Sequence, residues 1–234
     1  LFPYTTLFRS VDSRVSLDEY ITKLKAHGFD GMLITDHDTY KGYRYWKNEM
    51  KGKAYEDFVV LKGIEYDTCD AGHIICIMPE GVKMRLLEMR GMPVAMLIDF
   101  VHRHGGILGP AHPCGEKYMS FTNTKRYYRS PEIIKRFDFV EGFNSCETTE
   151  SNAGAMKLAK KYGKLTTGGS DSHKSECVGR GYTILPEPVS CETELISLIH
   201  KKTPLKTGGV LYNKTTKAED RKSTRLNSSH HSIS

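Results

Sequence analysis

The sequence predicts an α/β barrel, and three observations carry that prediction. Short apolar runs alternate along the chain with stretches of helical periodicity. Four of these runs end in residues that do not belong in a core. Residues 31–35 end in Asp36-His37-Asp38, residues 59–64 in Glu65, residues 106–111 in His112, and residues 165–170 in Asp171-Ser172-His173. The length, 234 residues, suits one barrel. The carboxyl ends of barrel strands converge on one face, and sites are built there. Asp, His and Glu gathered on that face supply the nitrogen and oxygen donors of a divalent metal site.

The elements follow in order. Ser16-Leu17-Asp18-Glu19 is a capping box, and Leu17, Tyr20, Ile21 and Leu24 continue it at helical spacing to a stop at Gly28. The strand carrying Asp36 and His37 comes next, and residues 43–50 read as a short surface helix leading to the Glu65 strand. Residues 67–72 are a turn, and residues 72–77 a strand with His73 at its start. Residues 92–104 are helical, with Val94, Leu97, Ile98 and Val101 on the apolar face. Beyond His112 a polar excursion, residues 115–129, is too long for a simple connection. Ser130-Pro131 opens a helix, residues 139–144 form a strand ending near Asn144, and residues 152–162 form a helix stopped by Gly163. Residues 181–185 are a further strand, and Ser190 caps a last helix that fades by Lys202.

Composition narrows the class. Hydrophobic residues at 38% and charged residues at 26% are ordinary for a globular chain. No apolar run approaches the ~20 residues of a membrane span, and residues 1–10 lack the pattern of a secretory signal. Six cysteines, at 69, 76, 114, 146, 177 and 191, show no zinc-finger or CxxC spacing, so reduced buried thiols in a cytoplasmic protein are expected. The two ends stand apart: residues 1–10 and 220–230 resemble translations of the paired adapters of short-read sequencing. Setting aside 1–10 and 220–234 as artefacts removes four cations and one carboxylate and lowers the formal charge from +6 to +3. The basic balance is then weak support for a nucleic-acid partner. A single domain over residues 11–219, without its natural beginning, is expected.

Each candidate ligand has a plainer reading. Asp36-His37 alone could be a turn with a capping Asp, and His73 a satisfied strand histidine. Glu65 lies between Ile64 and Tyr66, where a carboxylate must be paired or metal-bound. Asp171 and His173, two apart on an extended segment after Gly168-Gly169, point the same way and are the best single signal. His102-Arg103-His104 mimics a ligand pair, but residues two apart on a helix do not share a face. Lys125, Arg126 and Arg129 with Tyr127 and Tyr128 form a basic aromatic loop able to hold phosphate, and Arg180 offers a second bidentate fork. There is no Walker loop.

With these residues in place, the chain resembles the PHP (polymerase and histidinol phosphatase) family of metal-dependent phosphoesterases over nearly all of residues 11–209. The matching motifs are Ile34-Thr35-Asp36-His37-Asp38-Thr39, Gly63-Ile64-Glu65-Tyr66-Asp67-Thr68 with Gly72-His73-Ile74-Ile75-Cys76-Ile77, Gly109-Pro110-Ala111-His112-Pro113 and Gly168-Gly169-Ser170-Asp171-Ser172-His173. The resemblance implies a distorted (β/α)7 TIM-like barrel holding two or three divalent metals, often Mn, Fe or Zn. It implies that Glu65 bridges two metals, that His73 and His112 complete one, and that Asp171 binds the other. It gives His37 and His173 a third, which Asp12 joins. Val11 and Ser13 depart from the family's Ser-Asp-Gly run around that Asp. The family's first strand ends in His-x-His shortly before this position, and here residues 1–10 stand in its place. The resemblance therefore implies a missing or replaced first strand, and impaired metal binding and catalysis in the chain as printed.

The function so implied is hydrolysis of a phosphate ester by a metal-activated water, with Glu65, Asp171 and Arg180 as catalytic residues. The substrate would be a phosphorylated small molecule or a nucleotide, with nucleic acid possible but not favoured. The rivals are a 3′–5′ nuclease of the same family, an amidohydrolase-type barrel lacking its strand-borne lysine, and an inactive metal-binding module.

Overall fold

The computed structural model describes residues 15–212 apart from 54, 83, 117, 118, 173 and 174. The expected ligands Asp12 and His173 and both adapter-like tails lie outside the described residues.

Helix α1 (Leu17–Ala26) begins where the capping box placed it: Ser16 Oγ accepts from Glu19 N at 3.1 Å. Its buried face is Leu17, Tyr20, Ile21 and Leu24. Strand β1 (Gly31–Ile34) pairs in parallel with β2 (Val59–Lys62), Gly31 opposite Val59. The sequence suggested one strand running up to Glu65. Instead Gly63 interrupts it, and Glu65 sits inside a separate strand, β3 (Ile64–Asp67). At Gly63 a Cβ would come to 3.0 Å from Thr35 Cγ2, so glycine lets the two segments pass closely. Beyond it the parallel pairing resumes as a single bridge between His37 and Glu65.

From here the connectivity departs from a parallel barrel. Strand β4 (His73–Ile77) returns antiparallel to β3, and β5 (Ile107–Pro110) antiparallel to β4. The cause is local: Thr68 N donates to Gly72 O at 3.1 Å, closing a tight hairpin where a parallel return needs a long crossover. Strands β6 (Phe139–Asn144) and β7 (Leu165–Gly169) are parallel, and β8 (Gly181–Ile184) pairs antiparallel with β9 (Lys206–Gly209). Strand β9 was not expected, because it carries no large apolar residue. Among the described residues the strands form four sheets, β1-β2, β3-β4-β5, β6-β7 and β8-β9. The α/β class holds, but no closed TIM-like barrel is seen among the described residues, because closure needs an unbroken hydrogen-bonded ring.

The sheets still pack in chain order. Asp138 N donates to Leu108 O at 2.9 Å beside β5, and Gly168 N to Thr183 Oγ1 at 2.8 Å between β7 and β8. At Gly109 a Cβ would lie 2.5 Å from Phe139 O, so β5 and β6 approach only because that residue is glycine. Gly109→Ala is expected to destabilise the fold by about 1–3 kcal/mol through overpacking. A lowered denaturant midpoint at unchanged slope would show it, and an unshifted midpoint would refute it.

Helices cover both faces. They are α2 (Lys41–Tyr45), extended by a π-helical turn at Trp46–Met50, α3 (Val94–Arg103), α4 (Lys125–Arg129), α5 (Thr149–Tyr162) and α6 (Glu192–His200). Where the sequence suggested a loop, α4 forms because Thr124 Oγ1 accepts from Tyr127 N. Ser130-Pro131 opens a 3-10 segment, Pro131–Arg136, in which the Ser130 hydroxyl makes no cap bond. Ser190 is likewise not the cap of α6: Cys191 occupies that position, and Ser190 bonds Glu194 through both its N–H and its hydroxyl. Gly163 ends α5 in the left-handed conformation at φ 60°.

The two-residue period of the strands divides the core. Ile74, Cys76, Leu108 and Val140 face α3 and α5, while Ile75, Ile77, Ile107 and Phe139 face α6. A third cluster seats α1 on Met32, Ile34 and Val60. None of the six cysteines forms a disulfide; Cys76 and Cys177 are buried, but Cys69 is exposed, against the expectation of uniformly buried thiols. No helix among the described residues is long and apolar enough to cross a membrane.

Candidate metal centre

The strand ends with ligand-type residues meet at one edge of the sheets. His37 follows β1, His112 follows β5, Asn144 ends β6 and Asp171 follows β7. His73 begins its strand rather than ending it. It reaches the same edge because β4 runs antiparallel, with His73 opposite Asp67. Among the described residues, three of the five positive-φ non-glycine residues stand here: Asp38 at 49°, His112 at 27° and Asp171 at 44°. Backbone strain of this kind collects where side chains are aimed at a site.

At the centre is the buried Glu65 carboxylate. Its Oε1 lies 3.0 Å from His73 Nδ1 and 3.2 Å from His112 Nε2, and those two nitrogens are 3.2 Å apart. Two donors about 2.0–2.1 Å from one cation, at roughly 90–110°, sit about 2.9–3.4 Å from each other. The triangle has the edge lengths of one coordination sphere. A second grouping shares two of its members: His37, Glu65 and His73 offer donor atoms all within 4.8 Å of one another. The His37 and His73 rings are 4.9 Å apart, those of His73 and His112 5.2 Å. This donor set of imidazole nitrogen and carboxylate oxygen fits divalent cations.

Neighbouring groups hold these side chains. Asp67 Oδ1 lies 2.9 Å from His37 Nδ1 and 3.5 Å from His73 Nε2. Asp38 Oδ1 accepts from Asp67 N at 3.0 Å, and buried Asp36 accepts from Gly42 N at 2.7 Å. Glu141 Oε2 accepts from His112 N at 2.7 Å and from Asn144 Nδ2 at 3.1 Å, and Asn144 Nδ2 also lies 3.3 Å from Asp171 Oδ2. The buried Tyr20 hydroxyl meets Ser172 Oγ at 2.8 Å and ties α1 to the Asp171 loop. Asp67 and Glu141 went unread in the sequence, although both were legible. Asp67 is two residues from Glu65 on the same strand face. Glu141, like Glu65, is a carboxylate within an apolar strand.

The electrostatics are strongly coupled. Burial alone would raise the Glu65 carboxyl, but the His37, His112 and His73 imidazoles hold it well below its usual range. Burial disfavours the charged forms of His37 and His112, yet Glu65 and the neighbouring carboxylates raise them to about 9 and about 10. The Asp171 carboxylate is among the charges that raise both rings. Burial pushes Asp36 and Glu141 up to about 7.

Other predicted residues lie differently. Lys125, Arg126 and Arg129, with Asn123 and Thr124, line a cavity of about 820 Å³ that His73 also borders. Arg180 is not joined to the cluster by any described contact: its Nε donates to Glu176 O at 2.5 Å, its guanidinium to Leu211 O at 3.3 Å, and it stacks on Tyr212. His102 pairs with Asp138 Oδ2 at 2.9 Å and His104 with Phe100 O at 2.8 Å, both away from the cluster.

Residues 149–204, spanning α5 to α6 and including Asp171, match the PHP-associated family model, PHP_C. No curated protein matches the chain by sequence. Among solved structures, PsfC from Pseudomonas syringae aligns at 15% identity and TM-score 0.63, covering 97% of this chain and 96% of its own. A candidate metal-dependent phosphoesterase from Bifidobacterium adolescentis aligns at 13% identity and TM-score 0.55, covering 86% and 96%. An amidohydrolase from Chromobacterium violaceum, with sulfate bound and no metal, aligns at 14% identity and TM-score 0.57 with the same coverages. At these identities the likeness is one of fold.

Proposed function

We propose, from the premise that the family-model match and the shared fold assign the chain to the PHP-domain family, that it is a metal-dependent hydrolase acting on a phosphate ester. The observation that carries this reading is the triangle of Glu65 Oε1, His73 Nδ1 and His112 Nε2, with edges of 3.0–3.2 Å, beside a cavity walled by three cationic side chains. Sulfate, a phosphate mimic, in the C. violaceum protein supports the same substrate class. Free cysteines support a cytoplasmic setting.

Divalent cations held here, Mn, Fe or Zn, would supply hydroxide near neutral pH by lowering the pKa of bound water from 15.7 toward ~7, and would offset phosphoryl charge. The chain's own groups do the rest. The surrounding imidazoles hold the Glu65 carboxyl well below its usual range, so it is offered as a carboxylate to both ligand groupings. Asp67 accepts from His37 Nδ1, fixing that ring's tautomer and leaving Nε2 as the donor. Glu141 holds the strained backbone at His112, and Asp171 adds the third carboxylate of the cluster. Lys125, Arg126 and Arg129 bind the phosphate oxygens of the substrate and orient the ester toward His73 and Glu65. Arg180, the phosphate fork suggested by the sequence, donates to the carbonyls of Glu176 and Leu211.

The test is metal removal and return. Protein stripped with a chelator is expected to release no phosphate from p-nitrophenyl phosphate or AMP, and Mn2+ or Zn2+ is expected to restore release, at a rate lowered by the missing or replaced first strand that the family resemblance implies. If no ester is cleaved with any of the three metals, a binding module becomes the better account. The exposed Tyr128 ring beside the three cations favours a nuclease as the second reading. A steep fall of binding with salt would select it.

A further inference from the structure

We propose that the cavity between α2 and the 80–88 segment is a second small-molecule site, taking a phosphorylated ligand with a ring, of the size of a mononucleotide or sugar phosphate. Its volume, about 410 Å³, is in the range of small-molecule sites, and none of its lining residues belongs to the metal centre.

Three observations select this ligand. The first is charge. Arg44, Lys47, Lys51, Lys62 and Arg85 face three carboxylates, two of which are already committed. Glu88 takes Arg44 at 2.8 Å together with Tyr40 N at 3.1 Å, and Glu192 accepts from Lys62 N at 2.6 Å. Lys47, Lys51 and Arg85 have no carboxylate partner among the described residues. The second is an orphan donor. Tyr40 lines the cavity, is only 8% exposed, and its hydroxyl is buried with no hydrogen-bond partner among the described residues. Buried hydroxyls are nearly always satisfied, so this one marks the place of an acceptor the protein does not supply. The third is the wall. The Lys62 ammonium sits 5.8 Å and 6.0 Å over the Tyr40 and Tyr43 rings and donates to Val82 O at 2.9 Å, with further N–H groups to offer. Val82 and Met84 add apolar surface.

A phosphate monoester matches these features together: its oxygens accept from a hydroxyl and from ammonium or guanidinium groups, and a ring fills the apolar side. The Glu88 contacts hold the wall in place, so the site is formed before binding.

The experiment is titration of the full chain with AMP, ribose 5-phosphate and inorganic phosphate under chelator, which keeps the metal centre out of play. AMP or ribose 5-phosphate is expected to bind at one molecule per chain at this site, apart from any phosphate held by the Lys125–Arg129 cavity. Tyr40→Phe is expected to weaken it about tenfold, the loss of one charge-assisted hydrogen bond, and Lys47→Gln with Arg85→Gln, which removes two cations, by at least about tenfold. Lys125→Gln with Arg126→Gln, in the other cavity, should leave it unchanged. Thermal melts of the same variants check the fold. The proposal is overturned if neither organic phosphate binds, or if affinity ignores both cavity variants. It is equally overturned if the Lys125/Arg126 pair abolishes binding, or if inorganic phosphate binds as tightly as AMP.

Discussion

Glu65→Gln is expected to empty the metal centre and with it the hydrolytic activity. The substitution keeps the shape of the side chain and removes its charge. Glu65 Oε1 contacts both His73 and His112, and Glu65 also belongs to the grouping with His37. A neutral amide offers one weak oxygen in place of two charged ones, so both groupings lose affinity together. The loss should exceed the roughly 10–100-fold that follows removal of an outer-sphere partner. The fold should survive, because the backbone bonds of Glu65 with Asp36 and Asp38 do not use the side chain. Elemental analysis after equilibration with Mn2+ or Zn2+, read beside the rate of phosphate release, measures both effects. Wild-type metal content in the variant would remove Glu65 from the centre, and full activity without metal would remove the metal from the reaction.

The same residue shows how far the sequence could be read. A carboxylate between Ile64 and Tyr66 on a strand demands a partner, and the structure supplies three imidazoles. That argument applied equally to Glu141, between Val140 and Gly142, and its extension by two residues reaches Asp67. Local grammar was reliable at Ser16 and Gly163, where a cap or stop depends only on adjacent residues. It failed where the deciding interaction was distant or unmarked. The turn at 68–72 carries a hairpin signal, a short Gly-containing segment between two apolar runs, but the expectation of parallel strands overrode it. Strand β9 is specified by pairing with β8 and not by its own composition. Arg180 follows Asp171 closely in sequence, and the carbonyls it contacts, Glu176 and Leu211, are not marked there.

The second large effect is the response of the centre to pH. His37 and His112 stand at about 9 and about 10 without metal, raised from 6.5 by Glu65 and the carboxylates around it. A raised folded-state value gives stability that is fully present below the unfolded value and is lost as pH rises through the folded one. Both histidines therefore stabilise the metal-free protein at pH 6.5 and below, and cease to by about pH 10. Asp36 and Glu141, raised to about 7 by burial, act in the same direction at lower pH. Glu65 acts the opposite way: its contribution is present above 4.5 and lost as pH falls through its lowered value. Metal-free protein should thus melt at falling temperature from neutrality toward pH 10. Metal ligation reverses the slope, because each imidazole must give up its proton to become a donor. If both protons leave, apparent Zn2+ affinity should rise by up to about a hundredfold per pH unit below pH 9, a factor of ten for each proton. Competition with a chelator between about pH 6 and 8 measures the slope, and calorimetry in two buffers of different ionisation enthalpy counts the protons. A flat affinity over that range would mean that the imidazoles are already neutral, and that Glu65 does not hold them in the way its contacts indicate.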